Sequence, residues 1–163
     1  MEHIHETAWI APGAVVKGNV TFGEQVNVWF NAAVRGIGMG ITVGNCSNIQ
    51  DCVVIHGDIG NDVVIGDYVS LGHGCVIHGC TIEDHCVIGM NAVVLDRAHI
   101  GTGSIVGAGA VVPAGAQIPP NSLVLGMPAK VKRTLSPEEV AGNIQNAKEY
   151  LDFAAAEKAV IKD

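Results

Sequence analysis

Three of the seven histidines fall within residues 49–78, as His56, His73 and His78. Neutral imidazole is the side chain most often used to hold a metal at physiological pH. One such histidine would be read as a solvated side chain. Three in so short a stretch, on an otherwise charge-poor surface, read as a ligand set for one metal ion. Three histidines with one position left open is a catalytic zinc arrangement, whereas a structural zinc fills all four places. An ion held by neutral imidazoles keeps its charge. It can lower the pKa of a coordinated water from ~15.7 towards ~7, giving a hydroxide that attacks a small electrophile.

The elements that position these residues follow a period of six. Ile10, Val16, Phe22, Val28 and Val34 are evenly spaced, and an insertion at residues 36–42 interrupts the count. It resumes at Val43, Ile49 and Ile55. A shortened unit of His56, Gly57 and Asp58 leads to Ile59, Ile65, Leu71 and Ile77. After one deletion it continues through Ile82, Ile88, Val94, Ile100, Val106, Val112, Ile118 and Val124. An amphipathic helix repeats every 3.6 residues and an isolated strand every 2. A hexapeptide period specifies a parallel β-helix, three sides per coil, with the aliphatic residue inside and glycine allowing the turn beside it. A β-sandwich of short strands would not keep such a register over about a hundred residues.

Composition agrees. Of the 163 residues 48% are hydrophobic, yet only 4% are aromatic and 21 are glycine, which suits stacked rungs of small and β-branched side chains. The net charge of −7 argues against a nucleic-acid partner. No apolar run approaches the ~20 residues of a spanning helix, and no secretory signal is visible, so a cytoplasmic protein with reduced thiols is expected. Residues 1–135 read as the β-helix domain and 136–163 as a C-terminal segment packed on it. There Ser136, Pro137 and Glu139 form a capping box, and Val140, Ile144, Ala147 and Leu151 recur at helical spacing. One amphipathic helix is expected over residues 137 to about 158, as a packing element without chemistry.

Counting hexads puts His56 and His73 on one side of the prism, one coil apart, and His78 on the following side. His73 and His78 are five residues apart, at most ~16 Å along extended chain, and the corner between them turns their side chains apart. Zinc needs each nitrogen at ~2.0–2.1 Å. A neighbouring chain must therefore supply one ligand, and packing about a threefold axis would give three equivalent sites in a homotrimer.

At these residues the chain resembles a known family. The runs NIQDCVVIHG, SLGHGCVIHGC, GMNAVVLD and LGMPAKVKR, with three histidines spaced H-x16-H-x4-H, are similar to the γ-class carbonic anhydrases and their relatives linked to phenylacetate and carnitine metabolism. The resemblance covers nearly the whole chain. It implies a left-handed coil and a zinc ion (or Fe2+ or Co2+) held by His56, His73 and His78 across a trimer interface. It also implies reversible hydration of carbon dioxide to bicarbonate. Among site residues it implies that Gln50 orients the reacting water and that Arg35 and Asp51 serve the site and the interface. On residue chemistry alone, Arg35 and Asp51 read equally as an ion pair between chains. Three features depart from the family pattern. Ile37 stands where an aspartate commonly follows Arg35-Gly36, no acidic loop separates His56 from His73, and Ser122 replaces a frequent tyrosine. Asp58 is a nearby shuttle candidate, and His85 a further one whose plainer reading is a solvated side chain. Cys75 and Cys86 read as interior packing, Cys80 as packing or a soft ligand, and His3 and His5 carry no role. Alternatives are a metal-dependent thioesterase acting on acyl-CoA, a coenzyme A-dependent hexapeptide acyltransferase, and a trimeric scaffold without catalysis.

Overall fold

A computed structural model describes residues 1–161. The chain winds into a parallel, left-handed β-solenoid with three faces. The first face stacks the leading half of Val15–Phe22, the leading half of Ala33–Val43, then Val54–His56, Val76–His78, Val93–Val94 and Val111–Val112. The second stacks the trailing halves of the two long strands under Val63–Ile65, Thr81–Ile82, His99–Ile100 and Gln117–Ile118. The third runs from Trp9–Ile10 through Asn27–Val28, Asn48–Ile49, Ser70–Leu71, Val87–Ile88 and Ile105–Val106 to Ser122–Gly126. There Ala129–Thr134 returns antiparallel.

The aliphatic residues of the hexads become three interior columns. Val34, Ile55, Ile77, Val94 and Val112 form one; Val43, Ile65, Ile82, Ile100 and Ile118 the second; Val28, Ile49, Leu71, Ile88, Val106 and Val124 the third. Each fully buried isoleucine or leucine here is worth ~1.5–3 kcal/mol relative to exposure.

Glycine does two different jobs. The glycine just after the aliphatic residue does not make the turn. At Gly72 a Cβ would lie 2.8 Å from the Ile88 carbonyl oxygen, so the residue is small because the next coil passes over it. The turn is made two residues later, at Gly74, with φ +71°. The equivalent corner residue need not be glycine: Cys52, Asn91, Tyr68 and His85 all take the same left-handed conformation.

Three segments leave the six-residue register at one corner: two insertions, described next, and a step from Ile77 to Ile82 that is one residue short. In Ala33–Val43 the pairing jumps from Gly18↔Gly36 to Val20↔Ile41, so residues 37–40 bulge out of an otherwise continuous strand. In the next coil residues 57–62 loop out over this bulge. Ile59 belongs to that loop and is 87% exposed, so it is no core residue and starts no new side.

The helix Pro137–Val160 begins as the capping box requires: Ser136 Oγ accepts from Glu139 N–H and Glu139 Oε2 accepts from Ser136 N–H at 2.8 Å. Arg133 donates to both Glu139 oxygens at 2.7 Å. The helix lies on the third face. Ala147 and Ala154 are buried there, while Val140, Ile144 and Leu151 are only half-buried. Asn143 fixes its register by donating to the carbonyls of His85 and Gly103, both at 3.0 Å. Among the described residues no helix is long and apolar enough to cross a membrane.

The cap sets a pH dependence. The Arg133 guanidinium, then the Ser136 N–H, hold the Glu139 carboxyl down at about 2 against an ordinary 4.5. A lowered folded-state pKa stabilises above the ordinary value and is lost as pH falls through the folded one. The melting-temperature gap between wild type and Glu139→Gln should be present at pH 7 and close between pH 4.5 and about 2. A gap independent of pH would show that the carboxylate charge is not what holds the cap.

Candidate metal centre

The structure pairs the histidines differently from the hexad count. His56 and His78 are register partners at the ends of Val54–His56 and Val76–His78. Their rings stack 5.8 Å apart at 83°, on the corner between the first and second faces. His73 sits apart from them, just after Ser70–Leu71, on the corner between the third and first faces. The expected placement of His56 with His73, and of His78 on the next side, is therefore wrong. Its cause is residues 57–62. Counted as a side, they shift everything after Ile55 by one; looped out, they leave Ile77 directly above Ile55.

Each imidazole has its Nδ1 engaged. His56 Nδ1–H donates to the Arg35 carbonyl at 2.6 Å. His78 Nδ1 lies 3.0 Å from Asp96 Oδ2, and His73 Nδ1 lies 2.9 Å from Asp51 Oδ2. A carbonyl or carboxylate oxygen accepts here, so Nδ1 carries a proton, and in the neutral ring the lone pair is then on Nε2. That is how metal-binding histidines are commonly oriented. The donor set thus suits a divalent metal. Among the described residues, however, no three His, Cys, Asp or Glu side chains of one chain could hold an ion.

Instead, the candidate residues form two groups on opposite edges of the first face. One gathers His56, His78, Arg35 and Asp96. Arg35 is exposed, directly below His56 in its column. Asp58 is exposed in the loop that follows His56. The other group gathers His73, Gln50 and Asp51. Gln50 is buried; its Oε1 accepts the His73 backbone N–H at 3.2 Å and its Nε2 donates to Asn48 Oδ1 at 3.0 Å. Asn48 in turn donates to Ser70 Oγ at 2.8 Å, so the amide is held by a buried chain of side chains.

Two site residues escape the sequence reading. Asp96 orients His78 from 18 residues on, one place beyond the 17-residue register of the next coil, so the repeat alone does not point to it. Tyr150 comes from the helix, and its hydroxyl lies 3.5 Å from His73 Nε2. The helix therefore brings a polar group to the site and is more than packing. No periodicity signals this, because the contact spans 77 residues between unlike elements. Burial, then the Asp51 carboxylate, push the Tyr150 phenol up, so at neutral pH it is a donor.

Other candidates fall elsewhere. His85 stands at the third corner, between the second and third faces, where its carbonyl anchors the helix. Ser122 is buried, its hydroxyl donating to the Pro119 carbonyl at 2.7 Å. Cys75, Cys80 and Cys86 are buried, and burial pushes each thiol up to about 12, so Cys80 is core and is not poised as a ligand. In the native protein a thiol reagent should reach none of the four buried cysteines, Cys46, Cys75, Cys80 and Cys86, before denaturation. Rapid reaction of any of these would mean that the coils open.

The fold is a hexapeptide-repeat solenoid with histidines on two edges of its first face. A family model for the bacterial transferase hexapeptide (six repeats) matches residues 79–114. A protein of Methanocaldococcus jannaschii named "Probable carbonic anhydrase" is 51% identical over 93% of this chain and 95% of its own length. The carbonic anhydrase of Geobacillus kaustophilus is 42% identical over 96% and 86%. A crystal structure of a hexapeptide transferase family protein from Anaplasma phagocytophilum superposes with a TM-score of 0.91 at 34% identity, covering 95% of this chain and 92% of that one. The chain belongs to the γ-class carbonic anhydrase-like family of hexapeptide-repeat proteins.

Proposed function

We propose that this protein is a metal-dependent carbonic anhydrase of the γ class, converting carbon dioxide and water reversibly into bicarbonate and a proton at sites between the subunits of a homotrimer. Its resident ion is zinc, with Fe2+ or Co2+ as substitutes, and its place is the cytosol. One observation carries the reading: His56 and His78 occupy one edge of the first face and His73 the other, each with Nδ1 committed to an acceptor. Two edges of a chain meet two neighbours only in a head-to-tail ring, and the face between them then lines the axis.

That face is suited to burial. Its outward column is Val15, Ala33, Val54, Val76, Val93 and Val111, with Val15 57% and Val54 40% exposed in the single chain. The second face instead presents Thr21, Thr42, Val64, Thr81, His99 and Gln117. An apolar strip of this kind marks an interface.

When bound, the ion would lower the pKa of a coordinated water so that a nucleophile forms near neutral pH. This chain's residues do the rest. Arg35, Asp96 and Asp51 hold the three imidazoles in the tautomer that offers Nε2. Gln50 fixes the backbone of His73 and lines the cavity beside it. Arg35 adds a positive charge beside His56 that favours an anionic product. Asp58, on the same edge as His56, is the exposed carboxylate through which a proton leaves to solvent.

The deciding measurement joins sedimentation, metal analysis and stopped-flow hydration on protein loaded with zinc or, anaerobically, with Fe2+. The expected result is a trimer with about one ion per chain that hydrates carbon dioxide well above the uncatalysed rate. A metal-replete trimer without that activity would overturn the reading, and a panel of acyl thioesters would then test the thioesterase. Asp96→Asn and Asp51→Asn should each weaken metal affinity ~10–100-fold. Competition with a chromogenic chelator reads this directly; unchanged affinity would show that the carboxylates do not orient ligands.

A further inference from the structure

The helix adds a wall to the His73 half-site. Gln50, His73, Val87, Met90, Asn146 and Tyr150 line a cavity of about 240 Å³ between the helix and the third face. Asn146 and Tyr150 lie four residues apart, on one side of the helix. Val87 and Met90 give the cavity an apolar flank, and the hydroxyl, amide and imidazole give it a polar end. Tyr150 is held in place from both sides. Its ring meets Trp29 edge-on at 5.6 Å and 89°, and Phe153 at 5.6 Å. Asn143, two turns earlier, pins the helix to two solenoid carbonyls.

We infer that Tyr150 is a substrate-binding residue whose hydroxyl donates to an oxygen of the carbon dioxide or bicarbonate held beside His73. The inference rests on the reading of His73 as a metal ligand. In the single chain the phenol lies 3.5 Å from His73 Nε2, the nitrogen that would give its lone pair to the ion. Ligation takes that acceptor away and leaves the hydroxyl free to donate to whatever enters the cavity. The oxygen of a substrate bound at the open position is the acceptor that replaces it. Uncharged carbon dioxide suits the apolar flank, and bicarbonate, with more oxygens and a charge, gains more from the donor. The hydroxyl therefore matters most for binding the anion.

The test compares wild type with Tyr150→Phe, which keeps the ring against Trp29. Both are loaded with Co2+ and titrated with bicarbonate while the visible spectrum of the cobalt is followed. Metal content, trimer mass and hydration kinetics are measured in parallel. Tyr150→Phe should keep its metal and its mass, bind bicarbonate about tenfold more weakly, and show that loss in KM more than in kcat. Unchanged bicarbonate affinity and KM in the variant would overturn the inference. So would loss of metal with normal affinity at the sites still filled, which would make the tyrosine a prop for His73. If wild type itself neither binds the ion nor hydrates carbon dioxide, the carbonic anhydrase reading fails first and takes this inference with it.

Discussion

His73→Ala should yield a protein of unchanged fold and oligomeric state that holds little metal and hydrates carbon dioxide more slowly by at least ~10–100-fold. The loss of an outer partner of a ligand costs ~10–100-fold in metal affinity or activity, and loss of the ligand itself should cost no less. The substitution is structurally mild. The His73 side chain is 47% exposed, it belongs to no core column, and its backbone N–H stays bonded to Gln50. The apolar column proposed to line the trimer axis does not include it. Plasma mass spectrometry, stopped-flow hydration and thermal melting should therefore separate cleanly: metal and rate fall while the melting temperature of the metal-free protein stays put. Retention of a full complement of metal in His73→Ala would exclude His73 from the ligand set and leave His56 and His78 as a pair without a third nitrogen.

The same residues show what could be read without coordinates. The interior columns were legible because Leu71, Ile77, Ile82 and Ile88 occur at nearly fixed spacing and only a stacked coil buries all of them. The helix start was legible because Ser136, Pro137 and Glu139 specify their bonds locally. The face of each histidine was not. Ile59 has the type and nearly the spacing of a core residue, and only the loop of residues 57–62 shows that it faces solvent. A period tells which residues point inward; it does not tell which departures from it are sides and which are excursions. His56 and His78 thus exchanged neighbours on a single miscounted unit. Tyr150 was hidden for another reason. Its approach to His73 depends on how the helix docks, which Asn143 decides through two backbone carbonyls, and carbonyls carry no sequence signal.

The arrangement of half-sites predicts rescue between two inactive proteins. His73→Ala chains keep the edge carrying His56 and His78. Chains with both His56→Ala and His78→Ala keep the edge carrying His73. On the proposed arrangement neither variant alone forms a complete site. Co-refolded at equal amounts, the two variants should regain metal and activity, because some interfaces then join the intact edge of one chain to the intact edge of the other. Random assembly in a ring of head-to-tail contacts makes about one interface in four complete, so recovery should approach a quarter of the wild-type signal. It should fall away on both sides of equal mixing, since each complete interface needs one chain of each kind. A set of ligands lying within one chain would give no rescue at any ratio, because neither variant contains all three histidines. An isologous dimer in which each edge meets the unlike edge of its partner would also be rescued, so sedimentation of the mixture, as trimer or dimer, tells the two apart. Rescue that peaks at equal mixing is thus specific to a site shared between chains, and it follows from the one feature the coordinates add to the histidine spacing: His56 and His78 share an edge, and His73 is on the other.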